Sequence, residues 1–225
     1  ACVVREGPQN HALLLCLHHI VSDGWSMGVL MREFGALYAA FVEDADAVPL
    51  AALPVQYPDF AQWQRNWLQG EVLESQANYW VEQLAGLPAL LELPTDRPRP
   101  LHKQYSGGSV RFSLPAAQVA AMEMLVQRHG ATLFMGLLAT FQILLARLSG
   151  QTDLAVGTPT AHRTHAELEG LIGFFVNTLV IRGELDLAAG FETHLAQVRQ
   201  RMLGAYEHQD LPFEYLVDRI NPGRN

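Results

Sequence analysis

His18-His19-Ile20-Val21-Ser22-Asp23-Gly24-Trp25-Ser26 is the stretch from which the rest of this 225-residue chain can be read. It follows an apolar run, Ala12 to Leu17, long enough for a buried strand, and it precedes a pattern of helical period. The two histidines and the aspartate therefore fall on the turn between strand and helix. Gly24 lets backbone or substrate come close, and Ser26 is placed to cap a helix beginning near Met27. Adjacent residues at a strand end point to opposite faces. His19 is read as the one offering an imidazole near neutral pH, and His18 as a buried, hydrogen-bonded structural residue. Asp23 can hold a loop or a cation. The helical H-E-x-x-H pattern is absent and no further ligands lie at zinc spacing, so no metal is expected.

Downstream, Leu30, Phe34, Leu37, Tyr38 and Phe41 recur at helical steps and predict an amphipathic helix packed on a sheet. Glu43-Asp44-Ala45-Asp46 reads as a solvated acidic loop. Pro58 opens a helix over Asp59 to Leu68, with Phe60, Trp63 and Trp67 in a row read as packing rather than as a ligand cage. A second helix, about Glu71 to Leu84, carries Leu73, Ala77, Trp80 and Leu84 on one face. Leu87 to Leu101 holds Pro88, Pro94, Pro98 and Pro100 without helical period and reads as an extended connector. The chain is therefore divided into residues 1–93, a connector at 94–108, and residues 109–225. Arg97, Arg99, His102 and Lys103 make the connector mildly basic.

Beyond it, Val110, Phe112 and Leu114 alternate as a strand, and Pro115 opens a helix that stops at Gly130. Ala131 to Leu148 is apolar nearly all round, long enough to raise a membrane span. Gln142 and Arg147 inside it, and the Ser149-Gly150 turn after it, favour a central helix buried on most faces. Asp153 to Thr158 and Thr178 to Ile181 read as strands, with a polar loop, Ala161 to Glu169, between them. Phe191, Leu195, Val198, Met202 and Tyr206 mark a long amphipathic helix, and Pro212 starts a final short one through Ile220. Strands and helices alternate in both halves, which makes the class α/β.

The composition, 49% hydrophobic, supports a sizeable core. A net charge of -8 argues against nucleic acid and anionic membrane as general partners, since both reward clustered Lys and Arg. Cys2 and Cys16 make neither a disulfide framework nor a metal spacing; they read as small apolar residues in a reducing cytoplasm. The chain starts without methionine and shows no basic-then-apolar leader, so it is expected to be cut from something longer.

The opening stretch resembles the H-H-x-x-x-D-G signature of nonribosomal peptide synthetase condensation domains, in the variant ending S-D-G-W-S. Tyr57-Pro58-Asp59-Phe60-Ala61-Gln62-Trp63 is similar to that family's Y-x-D-F-A-x-W segment. Ile172-Gly173-Phe174-Phe175-Val176-Asn177-Thr178, running on to Arg182, resembles its G-x-F-V-N-T segment. His208-Gln209-Asp210-Leu211-Pro212-Phe213-Glu214 resembles H-Q-D-x-P-F-E, and Thr158 to Arg163 the arginine-bearing loop. The resemblance implies a two-lobed, chloramphenicol-acetyltransferase-like α/β fold truncated at both ends. The part of the first lobe present is then residues 1–93, and the part of the second 109–225.

It also implies an amide-forming acyltransferase that joins a carrier-bound aminoacyl or peptidyl thioester donor to an aminoacyl acceptor. His19 would stand beside the attacking nitrogen, as proton acceptor or as orienting group. His18, Asp23 and Arg163 would be structural at the site, with Asp23 in a salt bridge to Arg163 that ties the turn to the second lobe. Gly24, Trp25, Asn177 and Gln209 would line the substrate channel. No cofactor is expected in the domain itself, because the substrates ride on phosphopantetheine arms of upstream and downstream carrier-protein domains, beside an adenylation domain. The S-D-G-W-S form resembles the subtype joining an L-configured donor to an L-configured acceptor. An epimerising or other acyltransferase of the same fold, and a scaffold that only docks carrier proteins, are the alternatives.

Overall fold

Residues 1–44, 46, 48–97 and 107–220 are described by the computed structural model. Their contacts divide the chain into one unit of Ala1–Glu74 with Pro159–Asn177, and another of Ser75–Thr158 with Thr178–Asn225. The sequence-derived segments 1–93 and 109–225 are drawn differently, from composition and family resemblance. Arg99, His102 and Lys103 of the connector lie outside the described residues, as does the tail after Ile220.

In the first unit, β1 (Cys2–Arg5) and β2 (His11–Leu14) form an antiparallel hairpin that pairs Cys2 with Leu14 and Arg5 with His11. The Glu6 N–H closes its turn on the Asn10 carbonyl at 2.9 Å. The buried strand expected over Ala12 to Leu17 is thus shorter, and β2 is exposed throughout. Cys2 and Cys16, read from sequence as small apolar residues, are free thiols in exposed positions. Helix α1 runs Gly24–Glu43 and starts three residues earlier than expected, because Asp23, not Ser26, is its cap. A carboxylate at that position accepts the Ser26 N–H at 2.8 Å and satisfies one of the helix's open donors. Of the stripe expected to pack on a sheet, Phe34, Tyr38 and Phe41 are exposed, the first two stacked on each other.

Helix α2 (Tyr57–Trp67) begins with Pro58 in its first turn, where a missing N–H costs nothing, and the Asp59 carboxylate reaches back to the Gln56 N–H at 2.8 Å. It delivers Phe60 to a core formed with Leu168, Leu171 and Phe175, against which Val55 and Tyr57 pack. Phe60 and Leu168, far apart in sequence, meet because the 159–177 segment folds into this unit.

Helix α3 (Gly70–Gln83) passes into the second unit, where Ala77 and Trp80 are buried. There α4 (Ala116–Arg128) and α6 (Phe191–Glu207) both pack on α5 (Leu133–Ser149). Thr132 caps the start of α5, and Gly150 ends it at φ 73°, a left-handed position that favours glycine. Met135, Leu138, Ala139 and Leu145 of α5 are buried, as are Leu195, Val198 and Met202 of α6. On its other side α5 exposes Phe134, Leu137, Phe141 and Leu144, which corrects the expectation of burial on most faces. Among the described residues no single helix is long and apolar enough to cross a membrane; α4 and α5 pass that test only as a pair bent by 104°.

β3 (Asp153–Thr160) pairs with β4 (Asn177–Glu184), and α7 (Phe213–Ile220) follows. Arg182 on β4 holds the Asp153 carboxylate through two bonds of 2.7 Å and donates to the carbonyls of Gln83 and Ala85 at the end of α3. The strand expected at Val110 to Leu114 is not formed, and Val110 and Phe112 are exposed. Alternation specifies a two-faced segment, but a strand also needs a partner for its backbone groups.

Candidate active site

His19 opens a three-residue 3-10 turn, His19–Val21, whose cap is His18. The His18 Nδ1 accepts the Ile20 N–H at 3.1 Å from an exposed position, which corrects its expected burial. A histidine can cap a turn from the surface, because one ring nitrogen suffices and the other remains in water.

The His19 Nδ1 lies 2.7 Å from the Ser22 carbonyl. A carbonyl oxygen only accepts, so Nδ1 carries the proton, and in the neutral ring Nε2 keeps its lone pair. The ring also meets Phe174 edge to face, with centroids 5.1 Å apart and planes at 90°. It borders a cleft of about 420 Å³ with Leu15, Leu17, Gly24 and Met27. A Cβ placed on Gly24 would meet nothing within 4 Å, so the start of α1 presents open space beside the imidazole.

Behind the turn lies a buried polar cluster. Asp23 is 5% exposed. Its Oδ1 accepts from the Ser26 N–H at 2.8 Å and lies 2.7 Å from the Ser26 hydroxyl, and its Oδ2 accepts the Phe175 N–H at 3.0 Å. Arg163 adds a contact of 3.4 Å to Oδ1, with both side chains almost fully buried. Burial pushes the Asp23 carboxyl up, but the bonds from Ser26 and Phe175 and the Arg163 charge outweigh it and hold the group below the ordinary aspartate value. For Arg163, burial pulls the guanidinium down and Asp23 offsets part of that. Arg163 also donates to the carbonyls of Leu168 and Leu171, and its guanidinium lies 4.1 Å from the centre of the Phe175 ring.

Ser26 is the hub of this cluster. Its hydroxyl is fully buried and accepts from Arg163 at 2.9 Å and from the Gly173 N–H at 3.0 Å. Its single proton can go to Asp23 or to the Gly173 carbonyl, 2.8 Å away. The motif serine, read from sequence as a helix cap, instead binds the turn to the 172–175 loop. Gly173 must be glycine, since a Cβ there would lie 2.3 Å from the Tyr57 ring, whose hydroxyl donates to the Phe174 carbonyl at 2.9 Å.

Trp25 donates its indole N–H to the Glu169 carbonyl at 2.9 Å. His19, Asp23, Gly24, Trp25 and Arg163 therefore all belong to the first unit, so the Asp23–Arg163 contact lies within one unit. Asn177 opens β4, half-buried, at the edge of that unit. Gln209 belongs to the second unit, where its amide donates to the Tyr206 carbonyl at 3.0 Å. Sequence reasoning gave no role to Phe174, the Ser22 carbonyl, Tyr57 or Gly173; all four residues stand inside the quoted motifs, and that position is the signal they carry.

The condensation-domain family model matches residues 1–225. Malpinin synthetase of Mortierella alpina is 47% identical over 224 residues, which are 100% of this chain and 3% of that protein. Among solved structures, the complex of the X-domain and OxyB from teicoplanin biosynthesis contains a domain similar at TM-score 0.82 and 31% identity, covering 91% of this chain and 46% of its own. A four-domain nonribosomal peptide synthetase bound to AMP and glycine is similar at TM-score 0.81 and 27% identity over 92% of this chain and 15% of its own.

Proposed function

The chain belongs to the condensation-domain family, and from that premise we propose that it forms a peptide bond between two carrier-bound thioesters within a nonribosomal peptide synthetase. Its fold is the chloramphenicol-acetyltransferase-like α/β fold of that family, and it spans less than half the length of the solved chains it matches. The observation that carries the reading is the His19 imidazole, held through Nδ1 by the Ser22 carbonyl so that Nε2 keeps a lone pair beside the cleft.

The acceptor amine attacks the thioester carbonyl carbon. A C–N bond forms, the C–S bond breaks, and the amine's proton passes by way of His19 Nε2 to the departing thiolate. The acyl group is already activated, so holding amine and thioester together does most of the work, about 7–11 kcal/mol against two to four powers of ten for a proton acceptor. Asp23 and Arg163 are buried behind the turn and act as its anchor rather than as reacting groups. Open space at Gly24 suits a phosphopantetheine arm, which belongs to the substrate. We assign Asn177 and Gln209 to loop geometry first and to the channel second.

The partners in this reading are upstream and downstream carrier-protein domains and a neighbouring adenylation domain. Residues 1–93 and 109–225 contribute to the two lobes, joined by 94–108. The S-D-G-W-S form supports an L-configured donor and acceptor, and two exposed free thiols suit a reducing cytoplasm. One observation favours a second reading: the X-domain neighbour was solved in complex with another protein, OxyB, as a docking module would be. The two separate on His19→Ala in the full-length protein, assayed for dipeptide formation on loaded carriers by mass spectrometry. The catalytic reading expects a loss of at least about a hundredfold in turnover with the fold retained. Unchanged turnover would leave only docking.

A further inference from the structure

We propose that Phe174 is a positioning residue that sets the orientation of the His19 ring. The inference rests on His19 being the group that handles the amine proton. One hydrogen bond, from Nδ1 to Ser22, leaves an imidazole free to swing about that bond, and a second contact is needed to aim Nε2. The edge-to-face contact with Phe174 supplies it.

The backbone that carries Phe174 is bound at three successive residues. Gly173 bonds to the buried Ser26 hydroxyl, the Phe174 carbonyl accepts from Tyr57, and the Phe175 N–H donates to Asp23. Phe175 points into the core with Phe60, at 3% exposure, whereas Phe174 is 37% exposed and meets the His19 ring. A side chain that exposed adds little to the core. Its contact with the imidazole, on a loop so heavily tied, is the feature that needs a function. The loop thereby transmits the geometry of the buried cluster to the reacting group.

The test is Phe174→Ala and Phe174→Tyr in the full-length protein, with three measurements: kcat and KM for dipeptide formation on loaded carriers, the thermal transition, and the rate at which diethyl pyrocarbonate modifies His19, read by peptide mapping. Phe174→Ala is expected to lower kcat about tenfold with KM nearly unchanged, since a misaimed group costs the transition state rather than binding. His19 modification should quicken several-fold, the thermal transition should stay near wild type, and Phe174→Tyr should match wild type in all three. Unchanged kcat with unchanged His19 modification would overturn the proposal. So would a loss of kcat that follows loss of folded protein while His19 modification stays as it was. If His19→Ala turns over like wild type while Phe174→Ala still quickens modification of His19, the contact stands and the catalytic reading falls.

Discussion

Ser26→Ala removes one oxygen from the centre of the site and leaves the carbon framework in place. Two buried donors lose their acceptor, the Gly173 N–H at 3.0 Å and an Arg163 N–H at 2.9 Å. A buried donor left unpaired costs about 1–3 kcal/mol. Gly173 bears that in full, whereas Arg163 keeps the carbonyls of Leu168 and Leu171 and the Asp23 carboxylate, so its share sits at the low end. The oxygen removed is fully buried but makes polar contacts, so cavity formation adds little. A loss of about 2–4 kcal/mol follows, against about 0.5 for an ordinary surface substitution. Urea unfolding of the condensation domain, followed by tryptophan fluorescence, measures it as a shift in midpoint at constant slope. A loss below about 0.5 kcal/mol would refute the hub assignment, for it would mean that both donors find other partners at no cost.

Gly173→Ala should also be damaging, because its methyl would lie 2.3 Å from a Tyr57 ring whose hydroxyl is tied to the Phe174 carbonyl. Overpacking of this kind costs about 1–3 kcal/mol, and Tyr57→Leu should relieve part of it in a double-mutant cycle read by thermal unfolding. Strict additivity would show the clash to be absorbed elsewhere. The Asp23 carboxyl is held below its ordinary value, so its contribution to stability is present above the unfolded value of about 4 and is lost as pH falls through the lower folded value. Urea midpoints between pH 5 and 2 should therefore fall less steeply for Asp23→Asn than for the parent. Parallel slopes would contradict the depressed value.

The helices legible in the sequence are those whose burial follows their own period. Phe60 on α2, Ala77 and Trp80 on α3 and Leu195, Val198 and Met202 on α6 are buried at the positions the period marks. Where a segment's state depends on a partner, the pattern misleads. Val110 and Phe112 alternate like a strand yet pair with nothing among the described residues, and the Phe34 and Tyr38 stripe of α1 stacks on itself in the open. The start of α1 is hard to place for a local reason: aspartate and serine both cap helices, and only geometry shows that Asp23 takes the position and frees Ser26 for other bonds. The interior reading of His18 follows from giving its neighbour the site, although a surface cap satisfies the same ring nitrogen.

The candidate site divides the same way, and the division says how it can vary. What orients His19 from within the turn spans three residues, from its Nδ1 to the Ser22 carbonyl, and lies inside one motif, although a backbone carbonyl leaves no mark in the sequence. What holds the turn comes from far along the chain: Arg163 reaches Ser26 across 137 positions, Gly173 across 147, and Phe175 reaches Asp23 across 152. Such pairings leave no period and no spacing, and the family resemblance suggests none of these three, only the neighbouring contact of Asp23 with Arg163. Because those bonds converge on two side chains, Asp23 and Ser26, a change at Arg163, Gly173 or Phe175 acts on the turn through them. It reaches His19 without touching it, so substitutions at these three positions should alter turnover in proportion to the bonds they remove from this pair.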